Sequence, residues 1–135
     1  MGQGVNGKLL TINGNNFVAG AVVTFPTGSG ITAGPTTVVS SILMTVPVTI
    51  AWNAAVQPDL LTVTNADAGW GTFVGFTVLA SPTLTSVSPV AGPLAGGTAV
   101  TITGTNLSGA TAVAFNGAPA TSVTVASATS ISAVV

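Results

Sequence analysis

The strongest constraint on the fold is a strand-and-turn pattern that occurs twice in the chain. Residues 96–107 begin with a glycine pair, continue with alternating polar and β-branched residues, and end in a Gly-Thr-Asn turn. Residues 7–17 repeat the pattern 90 positions earlier, with Ile12 at the place of Ile102. Alternation with a period of two is typical of a strand with one buried face. The chain is therefore organised around two copies of one β unit.

The repeat also supplies candidate turn residues. Gly14 and Asn16 of the first copy correspond to Gly104 and Asn106 of the second copy. Glycine and asparagine are the residues that most readily adopt the left-handed conformations of tight turns. We therefore expect both copies to turn at these positions.

Other glycine, asparagine and proline residues mark further boundaries. Asn13-Gly14 and Asn116-Gly117 predict tight turns, because both residue types tolerate positive φ. Pro47 interrupts a good strand pattern and predicts a sheet edge or a bulge, since proline cannot donate to a ladder. Ser81-Pro82 is the predicted junction between two units, residues 1–80 and 81–135.

Helical periodicity is absent, and the pattern is that of an all-β sandwich or barrel. Strands are predicted at residues 8–13, 20–25, 36–40, 42–50, 59–64, 71–79, 83–88, 98–103, 111–115, 121–126 and 129–135. Comparing the copies, the first lacks a strand equivalent to residues 83–88, and the second lacks the two closing strands of the first. Incomplete closure predicts that Phe115, Ile102 and Ile131 are partly uncovered.

Charge is almost absent from the chain and excludes several functions. Only 2% of the residues are charged, and these are Lys8, Asp59 and Asp67. Nucleic-acid binding and attraction to an anionic membrane both need several cations. The apolar runs are also too short for a transmembrane helix.

Catalysis and metal binding are likewise disfavoured. There is no histidine or cysteine to act as base or nucleophile. Asp59 and Asp67 are interpreted as turn residues, and two carboxylates are too few for a calcium site. We predict no enzyme activity, no cofactor and no metal.

Residues 82–135 resemble the IPT/TIG family of immunoglobulin-like domains. The resemblance rests on the ordered series Pro82–Pro89, Gly92–Thr98, Val100–Leu107, Val113–Ala120 and Ser127–Val135. Residues 7–79 are similar to a second member, through Leu10–Phe17 and Val63-Thr64-Asn65. The resemblance implies two tandem early-set immunoglobulin-like sandwiches. It also implies an extracellular or cell-surface location, because members occur in surface receptors, adhesins and secreted enzymes. Some members are transcription factors, but DNA contact there uses basic loop residues that this chain lacks.

Two tryptophans are the candidate ligand contacts. Trp52 and Trp70 could form an exposed aromatic platform for a sugar ring, but we favour packing of Trp52 in or over the core next to Ile50 and of Trp70 against a hairpin, because aromatic side chains gain much from being covered. The same argument assigns all five phenylalanines to the core: Phe17, Phe25, Phe73, Phe76 and Phe115.

The sequence favours a non-enzymatic structural or adhesive surface protein that forms filaments or sheaths. Its partners would be other copies of itself or adjacent repeats of a longer chain, joined by strand complementation. The alternative is a carbohydrate-binding accessory module that uses Trp52 and Trp70. Exposure of both tryptophans on one face would favour this alternative.

Overall fold

The computed structural model describes residues 1–135 and is all-β, which confirms the predicted fold class. The chain forms two compact units, Met1–Ser81 (unit 1) and Pro82–Val135 (unit 2). The strands of unit 1 are β1 (Lys8–Asn13), β2 (Val22–Thr24), β3 (Ile31–Ala33), β4 (Thr37–Ser40), β5 (Leu43–Ile50), β6 (Pro58–Thr64) and β7 (Trp70–Thr77). Those of unit 2 are β8 (Thr83–Ser88), β9 (Ala99–Thr105), β10 (Ala114–Phe115), β11 (Ala118–Pro119), β12 (Thr121–Ser127) and β13 (Ser130–Val134).

Unit 1 is built from two sheets around one core. In the first sheet β5 is central, with β1 along one side and β3 and β4 along the other. The second sheet has the order β2-β6-β7. Alternate side chains of β5 and β6 point into the core, where Met44, Val46 and Val48 are fully buried beside Leu61 and Val63. The period-two pattern of the sequence therefore places the core residues correctly.

The sequence predicts a sheet edge or a bulge at Pro47. Pro47 does not lie at an edge, because β5 is paired on both sides, but the pairing beside it is irregular, with residues 34–36 opposite residues 46–47. Its carbonyl accepts a hydrogen bond from the Gly34 amide at 2.8 Å. In an extended strand the nitrogen of a residue points to the same side as its carbonyl, so the missing N–H faces the break between β3 and β4. The proline is tolerated because the neighbouring strand is interrupted there.

No strand precedes β1, but residues 1–5 are tied to the rest of unit 1. Gly2 forms a parallel bridge with Leu79. The Gln3 amide donates to the Leu79 carbonyl at 2.9 Å, and the Gly4 amide donates to the Ile50 carbonyl at 3.0 Å. The segment thus takes a strand-like place beside the end of the second sheet.

Unit 2 contains one four-stranded sheet, ordered β12-β13-β9-β8, and the short hairpin β10-β11. Contrary to the sequence prediction, Ile102 and Ile131 are not uncovered, since each is only 2% exposed. A three-residue 3-10 helix that begins at buried Leu107, and the segment that follows it, pack against them. Phe115 is partly buried, as expected.

The two predicted Asn-Gly turns have different outcomes. Asn116 and Gly117 both have positive φ, 50° and 85°, and connect β10 to β11 as predicted. Asn13-Gly14 is not a turn, because the Gly14 amide continues the β1 ladder by donating to the Ile42 carbonyl. The first copy turns at Asn16 instead, which has φ 60°.

Candidate functional site

Both tryptophans are exposed, so the prediction that Trp52 is covered by packing on the core and Trp70 by packing on a hairpin is wrong. Trp70 is 74% exposed and Trp52 is 79% exposed. Trp70 is the first residue of β7 and pairs with exposed Thr64, so its side chain leaves the sheet on the outer face. Trp52 lies in the turn after β5, where the small Ala54 takes the inward position and is buried.

The fold places the two tryptophans at opposite ends of unit 1. The Trp52 turn lies where β6 begins, because Gln3 donates to the Ala54 carbonyl at that end of the unit. Trp70 pairs with the last residue of β6. A strand of this length spans about 20 Å. The two rings therefore do not form one platform.

Trp70 lines a groove of about 770 Å³, which we call the Trp70 groove. One wall is β1 with the loop that follows it, and the other wall is the Asn65–Gly69 turn with the start of β7. Asn65 holds the walls together, since its amide nitrogen donates to the Asn16 carbonyl at 2.8 Å and its side-chain oxygen accepts from the Val18 amide at 3.1 Å. These two hydrogen bonds therefore fix the two walls of the groove to each other.

Phe73 also lines this groove, and its assignment to the core is wrong. It lies opposite buried Leu61, so its side chain leaves β7 on the core-facing side. It is nevertheless 60% exposed, because β1 is the edge of the opposite sheet and no strand extends further to cover the ring. Phe76 is buried as predicted, and the other three phenylalanines are partly buried.

Polar residues line both walls of the Trp70 groove, with Asn15 and Asn16 on one wall and the turn that contains Asn65 and Asp67 on the other. The Asp67 carboxylate accepts a hydrogen bond from the Gly69 amide at 3.0 Å, which agrees with the interpretation as a turn residue. The sequence did not predict that Asn65 bonds to the loop after β1. The one feature that could have indicated it is the position of Asn65 directly after a strand. Aromatic and amide groups together make the groove suitable for a polar ligand with an apolar face.

Asp59 is not a turn residue. It lies within β6, is 4% exposed, and its Oδ2 atom is buried without a hydrogen-bond partner. The Pro58 signal that suggested a turn instead marks the first residue of the strand, which is a position that proline tolerates. No group of three or more histidine, cysteine, aspartate or glutamate residues could hold a metal ion.

The repeat turn residues act in two different ways. Asn16 and Asn106 adopt the left-handed conformation, with φ of 60° and 56°. Gly14 and Gly104 have no positive φ, so the space around them decides the residue type. A Cβ on Gly104 would collide with the backbone carbonyl of Thr83 in β8.

Comparison with known proteins gives a family for unit 2. Residues 82–135 match the family model of the IPT/TIG domain. Unit 2 is therefore similar to IPT/TIG domains. The match covers the part of the chain on which the resemblance was strongest, and the assignment of residues 7–79 as a second IPT/TIG domain stays a prediction. No curated protein matches the chain in sequence.

A solved structure resembles almost the whole chain. The full extracellular region of plexin A4, domains 1 to 10, superposes with a TM-score of 0.53 and 19% sequence identity. The similarity covers 99% of this chain but only 12% of the plexin chain, so the chain spans a small part of that protein's length. This likeness supports the immunoglobulin-like fold. The helix of unit 2, a three-residue 3-10 turn, is far too short to cross a membrane.

Proposed function

We propose that the chain is a non-enzymatic structural or adhesive module of an extracellular or cell-surface protein, and that it associates with copies of itself through strand edges. The IPT/TIG domain and the likeness to an extracellular region support the location. The scarcity of charged side chains and the absence of histidine and cysteine support a role without catalysis.

The open edge of β7 carries this proposal. β7 is the last strand of its sheet, and from Trp70 to Gly75 it is paired only with β6. The outer face beside this edge is apolar, with exposed Trp70 and Val74 on β7 and partly exposed Leu60 on β6. Natural edge strands are normally protected by charges or covering elements. This edge has neither from Trp70 to Val74, and its one irregularity is the bulge at Gly75.

The occupant that best fits this edge is the β7 strand of a second copy. Two β7 strands can pair antiparallel about a two-fold axis, so that each copy presents the same surface to the other. Pairing would satisfy the free backbone groups and cover Val74 on both copies. Charge repulsion is weak, because the formal net charge is only −1.

Light scattering coupled to size-exclusion chromatography tests this proposal with two lysine variants. Val74→Lys places a charge on the exposed face of β7 and should convert a dimer or larger assembly into a monomer. Thr24→Lys places the same charge on β2, at the opposite edge of the sheet, and should leave assembly unchanged. A wild-type chain that stays monomeric at high concentration, or two variants that behave alike, would refute self-association through β7.

A second candidate function is carbohydrate binding at the Trp70 groove. The observation that favours it is that exposed Trp70 lines the same groove as Asn65 and Asp67. Trp70→Ala should reduce binding of the chain on a glycan array or in calorimetry with oligosaccharides. Trp52→Ala removes an equally exposed indole from the other end of unit 1 and is the matched control. Loss of binding in both variants, or in neither, would exclude this groove as the sugar site.

A further inference from the structure

Asparagine followed by glycine occurs three times in the chain, and this pair is chemically labile as well as a turn former. The three pairs are Asn6-Gly7, Asn13-Gly14 and Asn116-Gly117. Asparagine is a thermolabile residue, because its side-chain carbonyl carbon can be attacked by the backbone nitrogen of the next residue. Glycine has no side chain to hinder that attack. The hydrogen bonding of the glycine amide in the fold therefore decides which of the three pairs reacts.

Two of the three pairs are held by hydrogen bonds. The Gly14 amide donates to the Ile42 carbonyl at 3.0 Å and continues the β1 ladder. The Gly7 amide donates to Thr49 Oγ1 at 3.0 Å, and the same hydroxyl donates to Asn6 Oδ1 at 3.3 Å. One threonine hydroxyl thus holds both the attacking nitrogen and the side chain that it would attack. Turning either glycine amide toward the asparagine side chain breaks these bonds, which costs free energy.

The third pair is not held in this way. Asn116 and Gly117 form the exposed turn between β10 and β11, and the Gly117 amide donates no hydrogen bond. The space beside Gly117 is open, since a Cβ at this position would meet no atom within 4 Å. Rotation of the Asn116 backbone therefore breaks no hydrogen bond of the attacking amide, and water reaches the turn freely.

We propose that Asn116-Gly117 is a site of spontaneous covalent modification, at which the folded chain converts a side-chain amide into a carboxylate. The Gly117 nitrogen loses its proton to base, forms a bond to Cγ of Asn116 and closes a cyclic imide. The side-chain NH₂ group takes up a proton and leaves as ammonia. Water then opens the imide at either carbonyl carbon, adding its hydroxyl to the carbon and its hydrogen to the nitrogen. The product is aspartate, or isoaspartate when the chain continues through Cγ.

This reaction needs no enzyme, because the two reacting groups are adjacent in the chain and their encounter is intramolecular. Water is the only co-reactant. The base that accepts the Gly117 proton is hydroxide from the solvent, to which the turn is exposed.

The product is the first charged side chain of unit 2. Lys8, Asp59 and Asp67 all belong to unit 1. Conversion of Asn116 adds one negative charge to a formal net charge of −1. Solubility and association of a protein depend on its net charge, and here that charge becomes more negative as the chain ages. This inference goes beyond the proposed function and does not depend on it.

Nuclear magnetic resonance of the ¹⁵N-labelled full chain tests the proposal, because each asparagine side-chain amide gives its own signals, which disappear when ammonia leaves. The chain is kept in mildly alkaline buffer, where the amide proton is lost more easily. We expect the Asn116 signals to disappear several-fold faster than those of Asn6 and Asn13. In urea, which unfolds the chain, the three rates should become similar, since glycine follows each asparagine. Equal rates in the folded chain, or an Asn116 amide that outlasts the other two, would overturn the proposal.

A variant at Thr49 tests whether hydrogen bonding controls the reaction. Thr49→Val removes the hydroxyl that holds Asn6 and Gly7 but keeps the size of an exposed side chain, so unit 1 should stay folded. Loss of the Asn6 amide should become several-fold faster, and the Asn116 rate should not change. An Asn6 rate equal to that of the wild type would contradict the assignment, because the hydrogen bonds would then not protect the pair.

A variant at Asn116 tests where the new charge arises. Asn116→Gln has a longer side chain that closes a ring far more slowly. Isoelectric focusing should therefore show acidic species accumulating several-fold more slowly than in the wild-type chain. Acidic species that form at the wild-type rate would refute Asn116 as the site. The measured change is covalent, so the result does not depend on whether the chain self-associates.

Discussion

Unit 1 and unit 2 share one ladder and differ in what is added to it. Ile12 lies opposite Met44 on β1 and β5, and Ile102 lies opposite Ile131 on β9 and β13. Unit 1 adds a second sheet with β6 and β7, whereas unit 2 adds β8 beside β9. Met44, Ile102 and Ile131 of these pairs are buried, whereas Ile12 is only partly buried. The added strands therefore decide which edges and grooves stay open rather than whether a core forms.

The glycines of the repeat show the same difference at the scale of one atom. A Cβ on Gly14 would meet the ring of Phe17, with the nearest atom at 2.6 Å. A Cβ on Gly104 would meet the β8 backbone instead. The same repeat position is therefore crowded in two ways. In unit 1 the neighbour of Gly14 is the Phe17 side chain, which can rotate, and in unit 2 the neighbour of Gly104 is the backbone of the paired strand β8.

The largest expected effect comes from the isoleucines of the shared ladder. Ile102→Ala removes a fully buried side chain and should destabilise unit 2 by about 2–5 kcal/mol. Ile12→Ala, at the equivalent place in unit 1, should cost about 1–2 kcal/mol, because Ile12 is only partly buried. Denaturant unfolding followed by circular dichroism measures both variants. Thr101→Ala, whose side chain is exposed, is the control, and a loss as large as that of Ile102→Ala would show that the faces of β9 are misassigned.

The glycine pair should give a smaller but sharper contrast. Gly104→Ala should destabilise unit 2 by about 1–3 kcal/mol, since β8 must move to admit the methyl group. Gly14→Ala should change the stability of unit 1 by less than about 1 kcal/mol, because the Phe17 ring can rotate away. Amide hydrogen exchange in β8 would report the displaced strand. Equal losses in the two variants would contradict the difference between the two neighbours.

The smallest expected effect concerns Asp59, a buried carboxylate of unit 1 that has no counterpart in unit 2. Asp59→Asn removes the charge of a carboxylate whose Oδ2 has no partner and should stabilise unit 1 by about 1 kcal/mol. Tryptophan fluorescence during unfolding reports unit 1 alone, because both tryptophans lie there. Asp67→Asn is the control and should be neutral, since an amide oxygen can accept the Gly69 hydrogen bond equally well. A destabilised Asp59→Asn protein would indicate a favourable role for the charge.

The sequence could predict the strands and the core positions, but not the exposure of the aromatic side chains on β7. Alternation along β5 and β9 determines which side chains face the core, so the strands and the buried isoleucines were predictable. On β7 the neighbours Phe73 and Val74 are both apolar, and period two cannot decide which face is covered. The exposure of Trp70 depends on which face of β7 is the outer one, and the exposure of Phe73 depends on β1 being an edge strand. Such relations between sheets leave no local pattern in the sequence.

The hydrogen bonds between the two ends of unit 1 have a mechanical consequence. Leu79 donates to the Met1 carbonyl and accepts from the Gln3 amide, and the Ser81 amide donates to the Gln3 side chain. Because these segments run parallel, a pull on Met1 against Ser81 loads the bonds in shear. They must then break together and not one after another, as they would in a hairpin opened from its end. A force along the chain therefore meets its first resistance at this short parallel pairing.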